Sequence, residues 1–304
     1  MFDLTIVGHF ALDLIISPRI ARSETTLGGP PTYSSIAARK MGAKVSVISK
    51  VGMDFPSEYV DRLIGEGVDL SGLKRVGDAL STRFILKYEK GRRRLQLKSR
   101  APSIEPNDVA ESLESRAIHA SPIANELSVE TINELRGLTE VLSLDPQGLV
   151  RRFDAEGNVS FERMRDQHVL ENIDIFKSSM GELNLMIGAE EIPSAFKKIH
   201  HYGVRTIIVT KGIKGSILSH DRKIYAVPAC KPEVLVDPTG AGDAFIGAFL
   251  AEYLQDKDVT WCACVGSASA SFVVEGIGSA RFGEKGEVYE RAYEAYGKLK
   301  SFSL

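Results

Sequence analysis

Cysteine is scarce in this chain. Three residues in 304, at positions 230, 262 and 264, make neither a disulfide framework nor a zinc site. Cys262-Ala263-Cys264 sits in an apolar, small-residue stretch where cysteine serves as a compact buried side chain. Charge of one sign is lacking too: 38 basic residues stand against 40 acidic ones, for a net charge of -2. That balance gives no bulk attraction to nucleic acid or to a membrane. No apolar run reaches bilayer length. The opening Met1-Phe2-Asp3-Leu4-Thr5-Ile6-Val7-Gly8 has no basic region before its apolar part, so it reads as a first strand rather than a signal peptide, and the cytoplasm is the expected location. The six histidines include the pair His200-His201 at the end of a basic helical pattern, without metal-ligand spacing. No transition-metal site is expected. Gly8-His9-Phe10-Ala11 lacks the Gly-x-Gly-x-x-Gly turn of a dinucleotide-binding dehydrogenase.

What is present is ordinary for a globular protein: 43% hydrophobic and 26% charged residues, with no internal repeat, low-complexity tract or linker. Short apolar runs at Leu4–Val7, Val45–Val51, Ala117–Ala120, Val141–Asp145, Ile173–Lys177 and Thr206–Thr210 read as strands. Helical patterns fall between them, at Asp54–Ile64, Asn107–Ser115, Ser128–Leu138, Phe161–Leu170 and Ser194–His201. Such alternation predicts an α/β fold with a mostly parallel central sheet flanked by helices. Ser81–Tyr88 and Leu95–Ser99 read as a hairpin joined by a Glu89–Arg94 loop, whose Arg92–Arg94 run reads as solvated surface. The expected organisation is one domain, 1–304, with residues 9–27 and 79–100 forming a small β lid.

One stretch organises the rest. An apolar run, Glu233–Val236, reads as a strand leading into Asp237-Pro238-Thr239-Gly240-Ala241-Gly242-Asp243, and a long apolar helix pattern leads out. Glycines at 240 and 242 permit unusual backbone angles and leave no side chain in a ligand's way. The N–H groups of Gly240, Ala241 and Gly242 can converge at the positive end of the helix, a site for a phosphoryl group. Asp243 repels an anion unless it faces a neutral hydroxyl and takes its proton; the alternative is an acidic cap on the first turn.

Elsewhere, Asp13 stands out in the apolar run Ala11–Ile16, as a fixed acceptor for hydroxyls or as the polar face of an edge strand. Leu27-Gly28-Gly29-Pro30-Pro31-Thr32-Tyr33 ends an extended segment and starts a helix. In parallel sheets ligands sit beyond the carboxyl ends of strands. That rule singles out Ser121-Pro122, Asp145-Pro146-Gln147-Gly148, Ser178-Ser179, Thr210-Lys211-Gly212 and the Asp237–Asp243 turn.

These motifs, in this order, resemble the PfkB, or ribokinase-like, family of small-molecule kinases. The 237–243 turn is similar to that family's Asp-Thr-x-Gly-Ala-Gly-Asp signature, with Pro238 in place of a common threonine. The resemblance implies Asp243 as catalytic base and Gly240, Ala241 and Gly242 as an anion hole. It implies an acceptor site at Asp13, Gly28, Gly29 and Tyr33, with Gln147 and Arg151 as further candidates. Tyr33 stands where many sugar kinases have an Asn; it offers a hydroxyl or simply packs the helix. Ser179 stands in place of the Asn of an Asn-x-x-Glu element, whose Glu182 would organise Mg²⁺ through water or serve as a first-turn acid. Thr210, Gly212, Gly215 and Gly276 are expected around ATP. The implied activity is ATP- and Mg²⁺-dependent phosphorylation of a hydroxyl on a small polyol. Leu27–Tyr33 and Asp145–Gly148 look most like the archaeal myo-inositol kinase branch, followed by nucleoside and ribose-type kinases. A homodimer through the lid is implied as well. A ligand-binding regulator on the same fold is the rival class, and the intact Asp243 argues against it.

Overall fold

Val7, Ile118, Leu144, Phe176 and Ile207 are buried against one layer of helices; Leu4, Ile6, Ala117, Ile175 and Ile208 are buried against another. That alternation follows from the period of two along a strand, and it explains why the strand sequences are apolar on both faces. The computed structural model describes residues 1–18, 23, 25–89, 92–110, 114–164, 167–188 and 191–302. Its main sheet has ten strands. From one edge they are Lys300–Phe302, Lys223–Val227, Ser216–His220, Thr206–Thr210, Ile175–Ser179, Val141–Leu144, Ser115–Ala120, Phe2–Val7, Val45–Gly52 and Asp69–Val76. The seven strands from Thr206–Thr210 to Asp69–Val76 are mutually parallel, and the other three join antiparallel.

Helices Pro30–Lys40, Ala241–Tyr253 and Val259–Val273 contribute to the core that holds Leu4, Ile6, Ala117, Ile175 and Ile208, with Lys285–Tyr296 outside them. Helices Val129–Leu135, Met180–Ile187 and Ile192–His201 cover the opposite face. No helix among the described residues is long and apolar enough to cross a membrane.

A separate four-stranded sheet has the order Thr25–Gly28, Ala11–Ile16, Thr82–Glu89, Arg92–Ser99. Residues 19–22 and 24 of the expected lid segment, and Lys90-Gly91 at the hairpin tip, lie outside the described residues. The hairpin strands are longer than expected: Arg92–Arg94 belong to the second strand, paired with Glu89, Tyr88 and Lys87.

Four helical or strand expectations fail in whole or in part. Glu233–Val236 is not a strand. The N–H groups of Val236 and Asp237 both donate to the Val274 carbonyl, so the segment is tied to a helix end instead of a sheet edge, with Val234 53% exposed. Phe161–Leu170 is not a helix. Phe161 closes a short strand paired with Arg151, the Met164 N–H binds the Leu185 carbonyl, and a 3₁₀ turn covers His168–Asn172; residues 165–166 lie outside the description. The helix expected from Asp54 begins at Ser57, after Pro56, because the Asp54 carboxylate is held by Ser81 and Arg83. The Asn107–Ser115 pattern forms a helix only over Pro106–Ala110, and residues 111–113 are outside the description.

Candidate active site

The turn before the Ala241–Tyr253 helix takes its shape from Gly240, whose φ of 76° places it in the left-handed region. A side chain there would also strike the ring of Tyr33. The Asp237 carboxylate braces the turn: Oδ1 accepts from the Thr239 amide (3.0 Å) and hydroxyl (2.6 Å), and Oδ2 accepts from the Gly278 amide (2.9 Å). Of the three amides expected to form an anion hole, that of Ala241 makes a long 3.4 Å bond to the Pro238 carbonyl. First-turn amides have no partner inside the helix, so Gly242 presents its N–H outward.

Asp243 occupies the first turn. The Gln147 side-chain amide donates to its Oδ1 at 3.3 Å, Arg151 donates to the Gln147 Oε1 at 2.7 Å, and a second Arg151 donor holds the Ile123 carbonyl at 2.9 Å. The Ser34 hydroxyl donates to the Asp243 backbone carbonyl at 2.8 Å, tying this helix to Pro30–Lys40. The Asp243 carboxyl is raised to about 6, by burial first and by Asp145 and Glu182, against the opposing pull of Lys177 and Arg151.

Two clefts meet at this turn. Gly240 and Asp243 line the smaller one, together with Asp13, Tyr33, Gln147 and Arg151. Its wall on the small-sheet side carries Phe84, Leu86 and Leu95. Asp13 is paired in register with Thr26 and Phe84, which turns its carboxylate toward Gly28. Any side chain at Gly28 would collide with that carboxylate, which is the physical reason for a glycine there. Tyr33 is 1% exposed, and its hydroxyl has no hydrogen-bond partner among the described residues. Burial, then the Asp13, Asp237 and Asp243 charges, hold that phenol well above its ordinary range, so it is a neutral donor.

Ala241 and Gly242 line the second cleft, of about 530 Å³, with Thr210, Gly212, Gly215 and Ser216 on one side. Ala229, Leu235, Phe245, Ala270 and Val274 make much of it apolar. Gly276, expected here, instead packs beside Arg281, and the lining comes from the preceding helix turns.

Ser179 and Glu182 are also apart from both clefts. They form a capping box on the Met180–Ile187 helix, with the Ser179 amide donating to Glu182 Oε2 at 2.7 Å. No group of three His, Cys, Asp or Glu residues able to hold a metal occurs among the described residues. Glu182 keeps one carboxylate oxygen outside its cap. The donor set therefore suits Mg²⁺ carried on substrate phosphates and met through water, not a direct protein site.

Lys177 was missed as a site residue. It is the middle residue of the strand Ile175–Ser179, is 5% exposed, and makes an ion pair with Asp145, itself 1% exposed. A Cβ added to Gly242 would lie 2.9 Å from its Nζ. Burial alone would pull the ammonium down, but Asp145, Asp243 and Glu182 more than offset it and the group is held charged. The available signal was a lysine following the apolar pair Ile175-Phe176 in a strand pattern, where an unpaired buried charge is expensive. Thr239 and Tyr88, bonded to one another across 151 residues, left no such mark.

A family model described as pfkB family carbohydrate kinase matches residues 1–284. The chain is 29% identical over 283 residues to a cytidine kinase of Thermococcus kodakarensis, covering 90% of this chain and 97% of that one. It is 27% identical over 290 residues to an inositol 3-kinase of Arabidopsis thaliana, covering 91% and 75%. A solved structure of a pyrophosphate-dependent kinase in the ribokinase family, complexed with a pyrophosphate analog and myo-inositol, is similar with a TM-score of 0.80 at 22% identity, covering 94% of this chain and 99% of that one. At that identity the likeness concerns the fold.

Proposed function

The chain belongs to the pfkB family of carbohydrate kinases, with the ribokinase-like α/β fold, and from that premise we propose that it transfers the γ-phosphate of ATP to a hydroxyl of a small neutral polyol of the myo-inositol kind. One observation carries this reading: a single turn separates the two clefts, with Gly240 and Asp243 facing one and Ala241 and Gly242 the other. A hydroxyl in the small cleft and a phosphate in the large one would meet across that turn.

The reaction then follows from the residues. Asp13 accepts hydrogen bonds from the acceptor's hydroxyls, and the Tyr33 hydroxyl donates to one of them. The attacking hydroxyl passes its proton to Asp243 as its oxygen bonds to the γ-phosphorus. The bond from that phosphorus to the bridging oxygen breaks, and ADP leaves with the electron pair. A carboxyl near 6 is ionised at neutral pH yet basic enough to take the proton. The Gly242 amide and the helix N-terminus stabilise charge on the phosphoryl oxygens. Mg²⁺, arriving with the nucleotide, would neutralise phosphate charge.

The apolar lining of the larger cleft supports a nucleotide donor, because a pyrophosphate alone has nothing to bury there. The small cleft, about 60 Å³, supports a single-ring acceptor over a sugar plus a base. A nucleoside acceptor is the second reading. It is favoured by Phe84, which lines the cleft and could stack a base, and by the cytidine kinase relative. The four-stranded sheet would act as a lid over the acceptor, and its far face as the contact of a homodimer. The deciding experiment measures ADP formation from ATP with myo-inositol, cytidine and ribose in parallel. Highest kcat/KM with myo-inositol supports the first reading and with cytidine the second; no ADP with any of these removes both.

A further inference from the structure

Lys177 is a buried ammonium whose Nζ has one hydrogen-bond acceptor among the described residues, the Asp145 carboxylate. An ammonium carries three donors, so two remain uncommitted. The strand Ile175–Ser179 runs parallel between Val141–Leu144 and Thr206–Thr210 and delivers this side chain beneath the first turn of the Ala241–Tyr253 helix. There it lies within contact distance of the place a Gly242 Cβ would occupy, beside the orphan amides. A buried ion pair with no further task is weak support for a fold, since an apolar pair of similar volume is often as stable or more so.

The surrounding charges give it a task. Asp145, Asp243 and Glu182 all act on Lys177, and Arg151 joins it in acting on Asp243. Three carboxylates against two cations leave the turn net negative, which is the wrong sign for a phosphate. Arg151 is already spent on Gln147 and the Ile123 carbonyl. Lys177 is the cation with donors to give.

We propose that Lys177 grips the transferring phosphoryl group, and that Asp145 holds it in place as a counter-ion before the donor arrives. The assignment rests on the phosphotransfer reading above and deepens it. During transfer Lys177 keeps its protons: it donates hydrogen bonds to non-bridging oxygens of the phosphoryl group, while the acceptor's proton goes to Asp243 and ADP departs. Gly242 has no side chain because one there would come between the ammonium and the phosphoryl group.

The test uses the variants Lys177→Met and Lys177→Met/Asp145→Asn. The single variant leaves Asp145 buried without a counter-ion and is expected to lose thermal stability. The double variant removes both charges and is expected to melt within a few degrees of wild type, which frees it from a folding explanation. Its kcat should fall by roughly 10²–10³-fold, the size of losing one donor to a developing oxyanion. Calorimetry without acceptor should show the ATP Kd weakened by about tenfold and the ADP Kd unchanged, because only ATP presents a γ-phosphate. A folded double variant with wild-type kcat and wild-type ATP affinity overturns the assignment. Equal weakening of ATP and ADP overturns it also, by reducing Lys177 to a structural part. If wild type phosphorylates no acceptor while the double variant still loses ATP selectively, the phosphotransfer reading fails and the Lys177 site stands.

Discussion

The Tyr88 hydroxyl, on the small sheet, lies 2.9 Å from the Thr239 hydroxyl, in the turn that carries the candidate base. Thr239 gives its own proton to Asp237, so Tyr88 is the donor. The small sheet is thereby joined to the turn by a hydrogen bond. Tyr88→Phe removes it at a cost of about 0.5–1.5 kcal/mol. The acceptor KM should rise by about two- to tenfold, with the ATP KM little changed. Hydrogen exchange should show the Thr82–Glu89 and Arg92–Ser99 strands protected by acceptor in wild type, and less so in the variant. Equal exchange with and without acceptor would count against a closing lid.

Asp243→Asn should lower kcat by roughly 10²–10⁴-fold, the range for losing a general base, while calorimetry still shows ATP binding. The pH profile carries the sign. Asp243 is raised to about 6 by burial, and only its ionised form accepts a proton. Wild-type kcat/KM should therefore fall as pH drops through about 6 and level off above it. An Asn variant retaining wild-type turnover would dismiss the assignment.

Asp13→Ala should raise the acceptor KM more than it lowers kcat, because a carboxylate bonding bystander hydroxyls holds ground state and transition state alike. Unpaired hydroxyls in the cleft cost on the order of 1–3 kcal/mol, or about one to two decades in KM. Gly28→Ala should have the same kinetic signature, since its methyl displaces the Asp13 carboxylate. Steady-state kinetics with acceptor and ATP varied separately checks both; an unchanged acceptor KM in Asp13→Ala would leave that residue as a strand charge.

Gly240 and Gly242 should respond differently. Gly240→Ala combines a left-handed backbone, costing about 1–2 kcal/mol, with a clash against the Tyr33 ring, so thermal melting should shift down. Gly242→Val meets only the end of the flexible Lys177 side chain. It should keep its circular dichroism spectrum and lose turnover. A folded, fully active Gly242→Val protein would remove the anion-hole assignment.

What was legible in the sequence was local. Gly240 through Asp243 are consecutive, so spacing alone announces a glycine-rich turn opening a helix with a carboxylate in its first turn. The apolar strand runs are complete within four to seven residues, which suffices for a parallel sheet and its helices. Ser179 and Glu182 lie three apart, and the capping box between them is the first-turn role that spacing allowed.

Other features depended on what the chain brings from afar. Glu233–Val236 looks like a strand, yet the Val274 carbonyl takes the amides of Val236 and Asp237, and the segment joins no sheet. Tyr33 has the composition of either a packing residue or a ligand donor; the fold places it in the lining of the small cleft with its ring against Gly240 and its hydroxyl without a hydrogen-bond partner among the described residues. Lys177 and Asp145 are 32 residues apart, and Gln147 and Asp243 are 96 apart. The sequence determined that a glycine-rich turn and a carboxylate would be adjacent at a helix start, because backbone geometry acts over a few residues. Which cations stand beside that turn was decided by tertiary structure alone, because charge and hydrogen bonding act through space.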